Sequence, residues 1–161
     1  MANESAILDA IAAVGLDVEG LNAEAIYSLG GGNPAAGVKD LPDDIGAGGL
    51  PAFVVTDGGI EVIPGSWERT TWTVEATVWV EYSPRGERVR SLLDLRDPIR
   101  AAFRAKDKAG GVDAGVQSLL ITGTERIEGR QWQRLPSAPW YLVLPFSIEV
   151  KVNRAVTYTD S

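Results

Sequence analysis

Two stretches of strict alternation dominate the chain. In residues 69–82, RTTWTVEATVWVEY, the even positions Trp72, Val74, Ala76, Val78, Val80 and Tyr82 form one set. The odd positions Thr71, Thr73, Glu75, Thr77, Trp79 and Glu81 form the other. A period of two is the signature of a strand with one buried and one wet face. The pattern returns at 140–152, WYLVLPFSIEVKV, where Trp140, Leu142, Leu144, Phe146, Ile148, Val150 and Val152 alternate with a mostly polar set. Trp79, Tyr141 and Val143 break the rule, being large apolar side chains on nominally wet faces. Pro145 donates no backbone hydrogen bond and so predicts an edge strand or a bulge at that point.

Between these strands the period changes. Residues 86–106 carry Val89, Leu92, Leu93, Ile99 and Phe103 as an apolar helical stripe, and Asp97-Pro98 predicts a kink or break. A first helix is expected over 5–14, where Ile7, Leu8, Ile11 and Val14 recur at helical spacing, with Asn3 or Ser5 as cap and Gly15 as stop. Residues 15–50, with GGGNPAAG at 30–37 and DLPDDIGAGGLP at 40–51, are too densely punctuated for a long element. They read as an extended loop or arm that orders against a partner, so deleting 30–37 is expected to leave a folded chain that no longer joins its neighbours. AFVVT at 52–56 predicts a short strand, Asp57-Gly58-Gly59 a hairpin turn, and 60–63 the return before Pro64-Gly65. Ser83 to Gly86 is a turn, 106–115 a loop, 116–127 a strand, and Glu128-Gly129-Arg130 a turn; 155–161 reads as a flexible tail. The expected fold class is α+β in a single domain, 1–161. It has a mostly antiparallel sheet of four or five strands, two helices on one face and a long irregular N-terminal loop.

Composition narrows the chemistry. With 161 residues, no histidine and no cysteine, the chain lacks the usual triads, thiol nucleophiles, disulfides and thiolate metal sites. Gly32 to Lys39, GNPAAGVK, has the glycine spacing of a phosphate-binding loop. Val38 intervenes before the lysine, however, and Asp40 stands where a magnesium-binding hydroxyl is needed. Asp43-Asp44, and separately Asp17, Glu19 and Glu24, could offer oxygens to a cation, yet neither set has calcium-loop spacing. Glu75 and Glu81 share a strand face at roughly 20 Å, too far apart for a two-carboxylate hydrolase. Neither catalysis nor a cofactor is expected. No apolar run is long enough to span a membrane, and MANESAILDAIAAVG has acids where a signal peptide has bases. A soluble cytoplasmic product is expected.

Charge redirects attention to surfaces. The net charge is −7, but residues 1–68 hold one base, Lys39, against eleven acids, and residues 69–161 hold fourteen bases against eleven acids. Arg85, Arg88, Arg90, Arg96, Arg100, Arg104, Lys106 and Lys108 cluster on or beside the second helix. They form either a solvated face laced with ion pairs or a docking surface for acidic loops of a neighbouring copy. Trp79 and Tyr141 likewise leave two readings open: an exposed patch for a protein partner, or a surface covered by 15–50 of the same chain.

The element order is a helix, an irregular loop, LPAFVV, a long strand ending in a turn, an amphipathic helix, and strands closing in WYLVLPFSIEV. Over about residues 4–154 this order resembles the tail-terminator or tail-completion proteins of long-tailed bacteriophages. The composition is similar to that of phages of high-GC actinobacteria. The resemblance implies a virion protein of the tail neck, assembled in the host cytoplasm as a homo-oligomeric ring, commonly a hexamer. Such a ring ends tube polymerisation. Its partners would be the tail tube protein, a head-closure or connector protein, and DNA passing through the lumen without sequence readout. Arg88, Arg96, Arg100, Arg104, Trp79, Tyr141, Asp43 and Asp44 are the candidate subunit-interface residues. Another neck or tube component, or a small-ligand-binding module, are the alternatives.

Overall fold

The computed structural model describes residues 4–46, 48–62, 69–82, 86–108, 116–124, 126–132 and 138–153. The expected features at Asn3, Pro64-Gly65, Ser83 to Arg85, 109–115 and 155–161 lie outside those residues. Two α-helices, α1 (Glu4–Val14) and α2 (Glu87–Lys108), accompany seven strands. These are β1 (Ile26–Ser28), β2 (Lys39–Asp40), β3 (Ala52–Val62), β4 (Arg69–Glu81), β5 (Val116–Thr124), β6 (Glu128–Gln131) and β7 (Trp140–Asn153). The sheet runs β2-β1-β3-β4-β7-β5, with β6 also paired to β7. Only the β2-β1-β3 pairings are parallel; the others are antiparallel. The fold is therefore α+β, with an open, mixed and mostly antiparallel sheet.

The two alternating strands form its spine. β4 and β7 pair without interruption from Arg69↔Asn153 to Glu81↔Tyr141, so their apolar sets share one face. Val74, Ala76, Val78 and Val80 join Leu142, Leu144, Phe146, Ile148 and Val150 in the main core, roofed by both helices. α1 contributes Ile7, Leu8 and Ile11, and α2 contributes Leu92, Leu95, Ile99 and Phe103. Phe103 reaches the Phe53 ring at 6.4 Å. Gly15, which follows α1, is required for more than ending a helix, since a Cβ there would sit 2.7 Å from that ring.

Several expected elements are recast. Asp57-Gly58-Gly59 makes no hairpin; β3 runs on through it, taking three steps from Asp57 to Ile60 while β4 takes two from Val74 to Trp72. One extra residue is absorbed as a bulge because β4 is long enough to pair with both halves. The expected turn at 128–130 is instead β6, which follows β5 along the same side of β7. The ladder breaks between Thr124 and Glu128, opposite Leu144 and Pro145, where the proline has no N–H to offer. Pro145 thus sits in an interior strand at an irregularity, not at an edge.

α2 is unbroken through Pro98 and ends at Lys108 rather than 106. The carbonyl that Pro98 leaves without its bond belongs to Asp94, and both residues are exposed, so water can satisfy it. On the same helix Leu92, Ile99 and Phe103 are buried as expected, but Leu93 is 42% exposed and Leu95 joins the core in its place. Spacing explains this: Leu92, Leu95, Ile99 and Phe103 follow steps of three and four, and Leu93 falls a hundred degrees off them.

Segment 15–50 departs furthest from expectation. It wraps the β3 side of the sheet, supplies β1 and β2, and feeds both faces. Ile26 and Val38 enter the main core, while Ala25, Tyr27 and Ile45 enter a second core behind the sheet. The GGG run lies against α1: the Gly32 N–H donates to Asp9 Oδ1 at 3.0 Å. A Cβ on Gly30 would lie 2.3 Å from the Ser5 carbonyl. No phosphate loop forms here; Pro34–Ala36 is a single 3-10 turn closed by the Asn33–Val38 bridge.

Candidate functional site

The second core gathers the residues that broke the alternation. Trp79 and Tyr141 are only 5% and 6% exposed, covered by Tyr27, Ile45, Leu41 and Leu50 from 15–50 together with Trp132. Of the two readings the sequence left open, covering by the same chain is the one observed, so neither residue presents a patch. Trp79 packs edge-on against Trp132 at 5.2 Å and against Tyr141 at 5.8 Å, an arrangement aromatic quadrupoles favour. Each polar handle is satisfied. Trp79 Nε1–H donates to Thr77 Oγ1 at 2.8 Å, and Thr77 donates onward to the Val54 carbonyl. Trp132 Nε1–H donates to the Pro42 carbonyl at 2.9 Å.

Tyr141 and Asp44, both interface candidates, meet at the rim of this core, where Asp44 is exposed. The phenol hydroxyl donates to the Asp44 carboxylate, which also accepts the Gly46 N–H at 3.0 Å. Burial of the phenol, then the charge and hydrogen bond of Asp44, then the charge of Glu81 push the Tyr141 pKa above the ordinary tyrosine value. Asp44 therefore fastens the acidic loop to the sheet. Asp43, beside it, is exposed as well.

The arginines divide by environment. Arg88 is exposed and pairs with Glu81 at 3.3 Å, a surface contact worth little in water. Arg96 is half-buried, and its Nε is enclosed without a hydrogen-bond partner among the described residues. Arg100 and Arg104 lie one turn apart on α2 above β5. With Phe103 and Leu119 to Thr122 they line an open cleft of ≈ 310 Å³. Neither has an ion-pair partner among the described residues. Like charges at this spacing repel, so the pair is an unsatisfied cationic feature.

A second cleft, of ≈ 440 Å³, opens at the other end of the long strands between Tyr82, Trp140, Glu81 and the Gly46–Leu50 loop. Its two aromatic walls, Tyr82 and Trp140, are 56% and 55% exposed. Both residues sit in the alternating set that predicts burial, and position alone gave no sign of their exposure. They lie where β4 ends and β7 begins.

A third polar cluster joins Arg130 to Glu75 at 3.0 Å and to Glu128 on the back of the sheet. Burial works to lower the Arg130 pKa, but the two carboxylates outweigh it and raise it. Of the carboxylates that could offer oxygens to a cation, Asp17 pairs with Lys106 and Glu24 with Lys39. No metal-like group of three or more carboxylates converges among the described residues. No helix of the described residues is long and apolar enough to cross a membrane. Neither a protein-family model nor a curated protein matches the chain.

Proposed function

We propose that this chain is a ring-forming structural protein of a phage tail neck. It would end tube polymerisation and present a docking surface to the head connector, with DNA passing through the lumen. One observation carries the reading: the two edges of the sheet are unlike. The β2 edge comes from the acidic N-terminal segment, which carries Asp40 on β2 and the exposed Asp43 and Asp44 behind the sheet near Tyr141. The β5 edge lies under Arg100 and Arg104, which have no ion-pair partner among the described residues. A block with complementary edges associates head to tail, and head-to-tail contacts close into rings when the rotation permits. The element order, which resembles that of tail-terminator proteins, supports the tail neck as the site of that ring, and a hexamer is the expected closure.

Electron microscopy of particles assembled without the protein tests the role. Overlong tails lacking heads are the expected phenotype. Particles with no tail at all would assign the chain to the tube instead.

A further inference from the structure

We infer that the contact between neighbouring copies is made by the Arg100–Arg104 cleft of one protomer seating on the Tyr82–Trp140 cleft of the next. Each cleft carries what the other lacks. The first has two guanidinium groups without an ion-pair partner among the described residues, set over the β5 edge beside Phe103 and Leu119. The second has two exposed aromatic faces, with Glu81 on its wall. Asp44 is held beside it by the Tyr141 hydroxyl and the Gly46 N–H.

A planar guanidinium stacks on tryptophan or tyrosine while donating to a carboxylate. Arginine, tryptophan and tyrosine are the side chains most enriched where protein contacts hold their energy. Glu81 already accepts Arg88 within the chain, which shows that a guanidinium can approach it.

The two clefts cannot satisfy one another inside one molecule. Leu120 is opposite Glu149 on β7, and Glu81 is opposite Tyr141. That separation is about 26 Å along an extended strand. A second copy brings the faces together, and because they differ, the contact is heterologous and leaves each protomer with one free face to continue the ring. The inference rests on the ring reading for the identity of the partner and specifies the surfaces it uses.

Two variants and their mixture test it by light scattering. Arg100→Glu/Arg104→Glu removes the cationic face, and Glu81→Lys/Trp140→Ser removes the aromatic one. Asp44 is left intact because it anchors the loop. Each variant alone should be monomeric, with self-association weakened by about tenfold or more. Mixed, they should form a one-to-one dimer and stop, since one intact face of each kind remains.

A wild-type oligomer whose mass either variant retains overturns this contact while leaving the ring standing. A wild-type chain that is monomeric at every concentration overturns both. Should a charge variant lose its near-ultraviolet circular dichroism, the absence of native cysteine allows a gentler route. Single-cysteine proteins Arg104→Cys and Tyr82→Cys, mixed with a short bismaleimide, should yield a mixed dimer. Cross-linking no better than between two copies of Arg104→Cys counts against the contact.

Discussion

Tyr141 shows how one polar contact adds to the packing that holds a long loop on the sheet. Its hydroxyl bridges the sheet to Asp44 while its ring packs on Trp79. Tyr141→Phe keeps the ring and removes the bridge, so a loss of about 1–2 kcal/mol is expected at neutral pH. Because the folded-state pKa is raised, the stabilisation is fully present below the unfolded value of about 10 and is lost as pH climbs through the folded value. Urea titrations of both proteins should therefore show the wild-type advantage shrinking above about pH 10. A gap that stays constant there would remove Tyr141 as the titrating group. Arg96 carries a different lesson at this scale. With its Nε enclosed, replacing it by Glu would disturb folding as well as assembly, so Arg100 and Arg104 are the informative positions for association.

At the scale of the element, α2 is a helix whose tertiary contacts override its worst residue. Proline in a helix interior costs about 3 kcal/mol against alanine, yet α2 runs unbroken through Pro98. Burial of Leu92, Leu95, Ile99 and Phe103 on one stripe offsets that cost. Leu95→Ala should destabilise the protein by about 2–4 kcal/mol, and Leu93→Ala by less than about 1 kcal/mol, in thermal unfolding. Equal losses would mean that the helix is rotated from the orientation described. The strands obey the same rule. β3 keeps its pairing across Asp57-Gly58-Gly59, a sequence that favours a hairpin when taken alone. β4 offers partners on both sides of the bulge, and a continuous ladder outweighs a local turn preference.

For the whole molecule, segment 15–50 is part of the fold and not an appended arm. It holds Val38 at 0% exposure in the main core and Ile45 at 0% in the second. Deleting 30–37 removes the turn that seats Val38 and the bond from Gly32 to Asp9. The deletion is thus expected to lower the unfolding midpoint sharply, contrary to the folded monomer that the sequence suggests. Circular dichroism melting decides the matter, and an unchanged midpoint would return the segment to the status of an arm. The same wrapping brings the exposed Asp43 and Asp44 behind the sheet near Tyr141, while α2 sets Arg100 and Arg104 over β5. A charge asymmetry along the chain becomes an asymmetry in space, which is the property a head-to-tail assembly needs.

The sequence by itself determined the spine: the two long strands, their buried faces and both helices within a few residues, because period-two and period-3.6 patterns are local and repeat many times. It also singled out Trp79 and Tyr141 as exceptions and the arginine helix as a charged surface. Only the tertiary structure decided what the exceptions are for. Whether a large apolar side chain on a nominally wet face meets solvent depends on a segment about thirty residues or more away in the chain, and no local pattern records that segment's path. The same holds for Tyr82 and Trp140, whose alternation promised burial but whose place at the strand ends left them facing a cleft. Alternation specifies which face a side chain takes; what covers that face is settled only when distant parts of the chain are packed together.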